Sequence, residues 1–161
     1  MKAIFDNPFP VSTDAFLIWE VLIRNDFEGF LQGSWERVAD DYIEEGFFGV
    51  DFGKSTSPTE WTLGFPSLQH YMNQWLVDSN RFRENDFAAD PRQKLYESCQ
   101  LAEIQITGNS ALVHKLFAGD IPIIGRDPLE LNWRSLFLLR KQADKWRIAG
   151  FCGYINTHPS I

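Results

Sequence analysis

The sequence predicts an α+β domain, with helices gathered in the N-terminal half and antiparallel strands in the C-terminal half. Three observations carry this reading. Apolar residues recur at helical spacing in the stretches that end at Phe30, Tyr42 and Phe82. After Leu95, runs that alternate in the manner of strands fill almost all of the chain. No internal repeat or low-complexity tract interrupts this order, and helices first with strands last means a segregated α+β architecture rather than a parallel α/β sheet. At 161 residues the chain is the size of one domain, 1–161, with its core at about 12–155. A chain of that length buries roughly 70% of its unfolded surface, enough to need no disulfide or metal.

Pro8 and Pro10 make residues 1–11 an irregular lead-in. Ser12, Thr13 and Asp14 supply N-cap side chains, and Phe16, Trp19, Ile23, Asp26, Phe27 and Phe30 form the inward stripe of one long helix to about Gln32. Gly33 stops that helix. Ser34 caps a second, shorter one with Trp35, Val38, Ala39 and Tyr42 inward, and Asp40 and Asp41 fall near its C-terminal end, against the helix dipole. Phe47 to Phe52 reads as a short strand. Phe65 and Pro66 introduce a third helix with the stripe Leu68, Tyr71, Met72, Trp75, Ser79 and Phe82. Residues 83–93 are a charged connection. Four strands follow, Leu95–Thr107, Ala111–Asp120, Asn132–Lys141 and Trp146–Ile155. Tight turns at Gly108-Asn109 and Ala143-Asp144 join neighbours, and Ile121–Leu131 is a longer loop with two prolines.

Composition removes several functions. A net charge of −7 argues against a nucleic-acid partner, which requires a basic face. No apolar run of transmembrane length occurs, and the first ten residues lack the apolar region of a signal peptide, so a cytoplasmic protein with no membrane partner is expected. Cys99 and Cys152 stand far apart, and His70, His114 and His158 are scattered singly, so no metal site and no cofactor are expected. Aromatic residues make up 15% of the chain, enough to line a cavity as well as fill a core.

The order of helices, short strand, helix and strand meander resembles that of the nuclear-transport-factor-2-like superfamily. The most specific piece is the C-terminal pair Asn132-Trp-Arg-Ser-Leu-Phe-Leu-Leu-Arg-Lys and Lys145-Trp-Arg-Ile-Ala, two strands joined by a tight turn. The resemblance covers about residues 12–155. It implies a cone-shaped, curved antiparallel sheet wrapped around the three N-terminal-half helices, with a mainly apolar cavity on its concave side. Polyketide cyclases, ketosteroid isomerase and scytalone dehydratase share that architecture. Many members carry a histidine shortly after the final Trp-Arg-Ile. Gly150 and Cys152 stand there in this chain, so no particular cyclase activity carries over.

Strand alternation gives each face of the sheet its residues. Arg147 marks the outside of the last strand and turns Trp146, Ile148, Gly150, Cys152 and Tyr154 inward. Lys115 marks the outside of its strand and turns Leu112, His114, Leu116 and Ala118 inward. In Leu95–Thr107 the inward row is Tyr96, Ser98, Gln100, Ala102, Ile104 and Ile106. Arg140 and Lys141 disagree, so Asn132–Lys141 yields no facing.

Three residues are candidates for catalysis. His114, on an inward face, is either a core histidine or a group exchanging protons near neutral pH. Asp51, in Phe48-Gly-Val-Asp-Phe-Gly, resembles in location the general base of ketosteroid isomerase; a turn residue bonding its own backbone is the competing reading. Asp26, on the helix stripe, is either exposed at the helix end or buried with a partner. Tyr42, Tyr71, Trp75, Tyr96, Gln100 and Cys152 are candidate ligand contacts, with core packing as the alternative for the rings. The expected function is binding of a small apolar organic molecule. Its enzymatic form is a cofactor-independent isomerase, dehydratase or cyclase, Asp51 taking a proton while His114 or a tyrosine polarises a carbonyl. The alternative is a non-catalytic dimerisation or scaffold module. A homodimer through the outer sheet face is expected, with Trp133 or Phe137 as the exposed aromatic contact.

Overall fold

A computed structural model describes residues 3–156 of the chain. His158 lies outside the described residues.

Thr13 caps the first helix, its Oγ1 accepting from the Phe16 N–H at 3.2 Å. The helix runs to Gln32 as expected, but in three parts: α1 (Asp14–Trp19), a π-helical stretch Glu20–Asn25, and α2 (Asp26–Gln32). Gly33, at φ +65°, ends it in the left-handed conformation that a residue without Cβ adopts freely. The second helix expected after Ser34 is reduced to two single 3-10 turns, Trp35–Arg37 and Ala39–Asp41. Ser34 makes no capping bond there, and Asp40 and Asp41 oppose the dipole of any longer helix.

The strand β1 (Phe48–Asp51) is followed by a second short strand, β2 (Thr62–Phe65), which the polar run before it hides in the sequence. Helix α3 (Leu68–Arg83) begins at Ser67, whose side chain accepts from the His70 N–H. Helix α4 (Pro91–Ser98) corrects the expected strand start at Leu95. Asp90 caps it by accepting from the Arg92 N–H at 3.0 Å, and Pro91 opens its first turn. The remaining strands are β3 (Cys99–Thr107), β4 (Ser110–Ile123), β5 (Arg126–Gln142) and β6 (Lys145–Ile155).

Together the six strands form one curved, unclosed sheet in the order β2-β1-β6-β5-β4-β3, with the helices of the N-terminal half against it. The sheet is mixed rather than wholly antiparallel, because β1 pairs in parallel with β6. The expected loop 121–131 is instead the far end of the β4–β5 hairpin, with Asp120 opposite Glu130 and Ile121 opposite Leu129. Its prolines are tolerated because the ladder shifts register between Ile121 and Ile123, where Pro122 has no bond to donate. The Pro122 carbonyl accepts from the Ala88 N–H at 2.9 Å and ties this end of the hairpin to the segment after α3.

Two apolar clusters hold the layers together. One joins Ile18, Leu22 and Val38 to Val113, Leu139, Trp146 and Ile148 across the sheet. The other gathers Trp19, Ile23 and Phe27 with Leu95, Tyr96, Phe117 and Ile121. Among the described residues no helix is long and apolar enough to cross a membrane.

Candidate functional site

On β4 the residues that turn inward are Ala111, Val113, Lys115 and Phe117, the opposite phase from that expected. Lys115 is a buried lysine. Its Nζ donates to the Leu22 carbonyl at 2.5 Å and pairs with Asp26 Oδ2 at 2.8 Å. The rings of Phe27, Phe117 and Phe137 surround the ammonium at 4.8, 5.6 and 5.7 Å from their centroids. The electron-rich faces of three rings and two oxygens replace the water that the cation loses. Asp26 is engaged on both sides, because its Oδ1 accepts from Trp75 Nε1 at 3.0 Å. The π-helical stretch contains Leu22 and ends immediately before Asp26, so the irregular turn and the residue that follows it supply the two partners of Lys115.

This pair lines a cavity of about 680 Å³ between α2 and α3 on one side and β4, β5 and β6 on the other. Phe30, Phe65, Phe117, Trp133, Phe137 and Phe151 are among the rings of its wall, and the hydroxyl-bearing Tyr71, Ser135 and Tyr154 also line it. The size and mixture suit a small organic ligand, for which mostly apolar walls with a few placed polar groups are typical. At its mouth stand the exposed side chains of Arg81, Glu84, Arg126 and Glu130. Arg126 hydrogen-bonds to Asn85 and joins the hairpin to the end of α3.

Burial pushes the Tyr42 and Tyr71 hydroxyls well above their ordinary value, and the negative charge of Asp26 adds to the effect in both. The two rings sit 5.6 Å apart. Both hydroxyls stay protonated across the physiological range and act as hydrogen-bond donors or acceptors, not as bases. Burial likewise raises the carboxyl of Asp78, which accepts from Gln74 Nε2 at 2.8 Å.

A second hollow of about 450 Å³ opens beside the first, lined by Asp51, Gly64, Phe65, Gln74, Asp78 and Tyr154. Four of these, Phe65, Gln74, Asp78 and Tyr154, also line the main cavity, so the two spaces share a wall. Asp51 sits here at the end of β1, with its Oδ1 accepting from the Gly53 N–H at 2.7 Å in a turn of its own backbone.

Asp26, Tyr71 and Trp75 are brought together at the main cavity, and Tyr42 lies behind Tyr71. The other candidates are not. His114 is on the outer face, where its Nδ1 is 2.8 Å from Arg134 Nη1 and its Nε2 is 3.8 Å from Glu103. The reason is the phase of β4, in which both faces are apolar enough that Lys115 alone decided the reading. Cys152 also turns outward: between Leu138 and Leu139 the β5–β6 register shifts, one extra residue of β6 is accommodated, and Phe151 takes the inward position. A second irregularity, with Tyr154 at φ +62°, returns Tyr154 to the interior. Gln100 is exposed because α4 interrupts the alternation that was carried back to Leu95. Tyr96 belongs to α4, in the second apolar cluster, where its hydroxyl donates to Glu28 at 2.8 Å. Burial and that bond push the Tyr96 hydroxyl up to about 12. Trp133 and Phe137 line the cavity instead of the outer face. Tyr154 faces inward as strand alternation predicts, whereas Lys115 and Asp78 are site residues that the sequence pattern does not predict. One signal for Lys115 was present: a carboxylate on the inward helix stripe requires a buried cation, and a lysine within an apolar strand supplies it.

No protein-family model and no curated protein matches the sequence. Solved structures do. An NTF2-like protein of unknown function from Shewanella baltica is 21% identical, over 94% of this chain and 99% of that one, with a TM-score of 0.54. A domain of unknown function with a cystatin-like fold from Nostoc punctiforme has a TM-score of 0.57 at 12% identity, over 93% of this chain and 81% of that one. An NTF2-like protein with a cystatin-like fold from Novosphingobium aromaticivorans reaches 0.56 at 12% identity, covering 91% and 84%. At these identities the likeness concerns architecture, and it agrees with the element order and the curved sheet described above: the chain has the NTF2-like fold.

Proposed function

We propose that this chain binds a small, mainly apolar organic molecule in the cone, without a cofactor. The observation that carries the reading is the composition of the cavity wall: aromatic rings on most sides, with the Asp26–Lys115 pair and the Tyr71 hydroxyl set among them. The rings supply apolar contact, and the few polar groups orient the ligand. The enzymatic form of this function is proton transfer on the bound molecule, as in an isomerase, dehydratase or cyclase. Asp26 and Tyr71 both line the cavity, and in this form the first accepts the proton and the second donates to an oxyanion. His114 and Asp51 do not form an acid–base pair across the cavity, because one lies outside the sheet and the other at the side hollow. Amide chemical-shift mapping with naphthalene-based fragments tests the reading. Shifts gathered at Tyr71, Trp75, Ser135 and Trp133 support it, and shifts confined to the outer sheet face overturn it.

A second reading, a homodimer through the outer sheet face, is favoured by a different observation. Leu112, Leu138, Gly150 and Phe48 are register partners in one row across that face, and Leu138 and Phe48 are 47% and 55% exposed. Apolar side chains in such a row suit an isologous contact. Sedimentation at micromolar concentration decides it: a dimer that Leu138→Glu dissociates supports the reading, and a monomeric wild type ends it.

A further inference from the structure

Lys115 shows how this fold accommodates an ammonium group: a carboxylate on one side, a second oxygen, and the faces of aromatic rings around the rest. The side hollow presents the same chemistry to a molecule from outside. Asp78 reaches it from α3 and Asp51 from the end of β1, and Phe65 and Tyr154 form its ring surfaces. None of the residues that line it is basic. Arg81, on the next turn of α3 from Asp78, lines the main cavity but not this hollow, and its charge partly offsets the effect of burial on the Asp78 carboxyl.

The position of Tyr154 is a second observation. A bulky residue at φ +62° is uncommon and costs backbone energy, and such strain persists where the surrounding structure enforces it. Here Lys54 and Phe52 enforce it, their N–H groups donating to the carbonyls of Tyr154 at 2.7 Å and Gly153 at 3.0 Å. The result is an aromatic ring that lines both the main cavity and the side hollow. Burial keeps the Tyr154 hydroxyl protonated, and the charges of Asp78 and Asp51 add to this. Among the described residues no group of three or more His, Cys, Asp or Glu is placed to hold a metal ion. Two carboxylates with ring faces recognise an organic ammonium rather than a bare metal cation.

We infer that the ligand of the cone is an amine: an apolar body in the main cavity, and an ammonium group in the side hollow between Asp78 and Asp51, against Tyr154 and Phe65. This inference rests on the ligand-binding reading above and names the class of its ligand. The shared wall of Phe65, Gln74, Asp78 and Tyr154 makes the two spaces one site with an apolar and an acidic part.

The test is calorimetric titration of the full chain with 2-naphthylmethylamine, 2-naphthylmethanol and 2-naphthoate, at about 0.15 M salt so that only close charges count. The amine should bind about tenfold more tightly than the alcohol, and the carboxylate most weakly. Asp78→Asn should bring the amine-to-alcohol ratio close to one, and Asp51→Asn should lower it partway. Equal or tighter binding of the alcohol or the carboxylate overturns the inference while leaving the cone as a binding site. A ratio that survives both substitutions together also overturns it. Binding of none of the three probes removes the ligand-binding reading, and this one with it.

Discussion

Two lysine–aspartate pairs in this molecule have nearly the same geometry and opposite surroundings. Lys115 and Asp26 are 2.8 Å apart with side chains 4% and 23% exposed. Lys145 and Asp40 are 2.6 Å apart with side chains 36% and 78% exposed. The inner ammonium sits among Phe27, Phe117 and Phe137, which leave it almost no water. The outer pair is shared with Arg147 and solvent. Separation therefore says little about what a pair is worth. What matters is what each charge meets when its partner is removed.

Removing one inner partner should have the largest effect. Lys115→Met leaves Asp26 in an apolar cavity with Trp75 as its remaining side-chain donor, and a loss of about 3 kcal/mol in urea unfolding is expected. A loss well under 1 kcal/mol would mean that water already screens the pair. Replacing both charges sharpens the point. Lys115→Met with Asp26→Leu should recover most of that loss, to within about 1 kcal/mol of the wild type, because two apolar side chains need no compensation. On the proposed ligand-binding reading, the double variant should still bind the naphthyl probes more weakly, a loss that stability alone does not predict.

Asp78 tests the same principle without a lysine. Burial raises its carboxyl above the usual aspartate range in the folded chain. The native state thus holds this proton to higher pH than the unfolded chain does. Its contribution to stability is fully present below the unfolded value near 3.8 and is lost as pH rises through the raised one. Asp78→Asn should therefore gain stability relative to wild type between acid and neutral pH, by a fraction of the Lys115 effect. Urea midpoints measured across that range check both the sign and the window. The smallest change is expected at Asp40. Its carboxyl is lowered by the hydrogen bond and charge of Lys145, yet it is fully solvated, and Asp40→Ala should leave the midpoint within error.

The same contrast explains what was legible in advance. Asp26 could be placed on an inward helix face because helical periodicity depends only on local spacing, and Trp75 and Tyr71 followed from the stripe of α3. The faces of β4 and β6 were not legible in this way. In Ala111-Leu-Val-His-Lys-Leu-Phe both phases are apolar, so the usual rule that a lysine points to water chose the wrong one and carried His114 with it. In β6 one extra residue near Gly150 exchanges Cys152 for Phe151, and nothing in Trp146–Ile155 announces that shift. The start of β3 is hidden for another reason: Asp90-Pro91 is a sound helix-opening signal, but the charged residues around it mask the short helix it opens.

By itself the sequence determined the α+β order, the long first helix, α3, and the turns at Gly108-Asn109 and Ala143-Asp144. Each depends on residues close together in the chain, through spacing, capping and backbone preference. The tertiary structure alone decided that Lys115 is buried, that Trp133 and Phe137 face the cavity, and that Asp51 and Asp78 line one hollow at its side. A strand with two apolar faces takes its facing from whatever packs against it. For β4 that was the carbonyl of Leu22 and the carboxylate of Asp26, 93 and 89 residues away in sequence from Lys115.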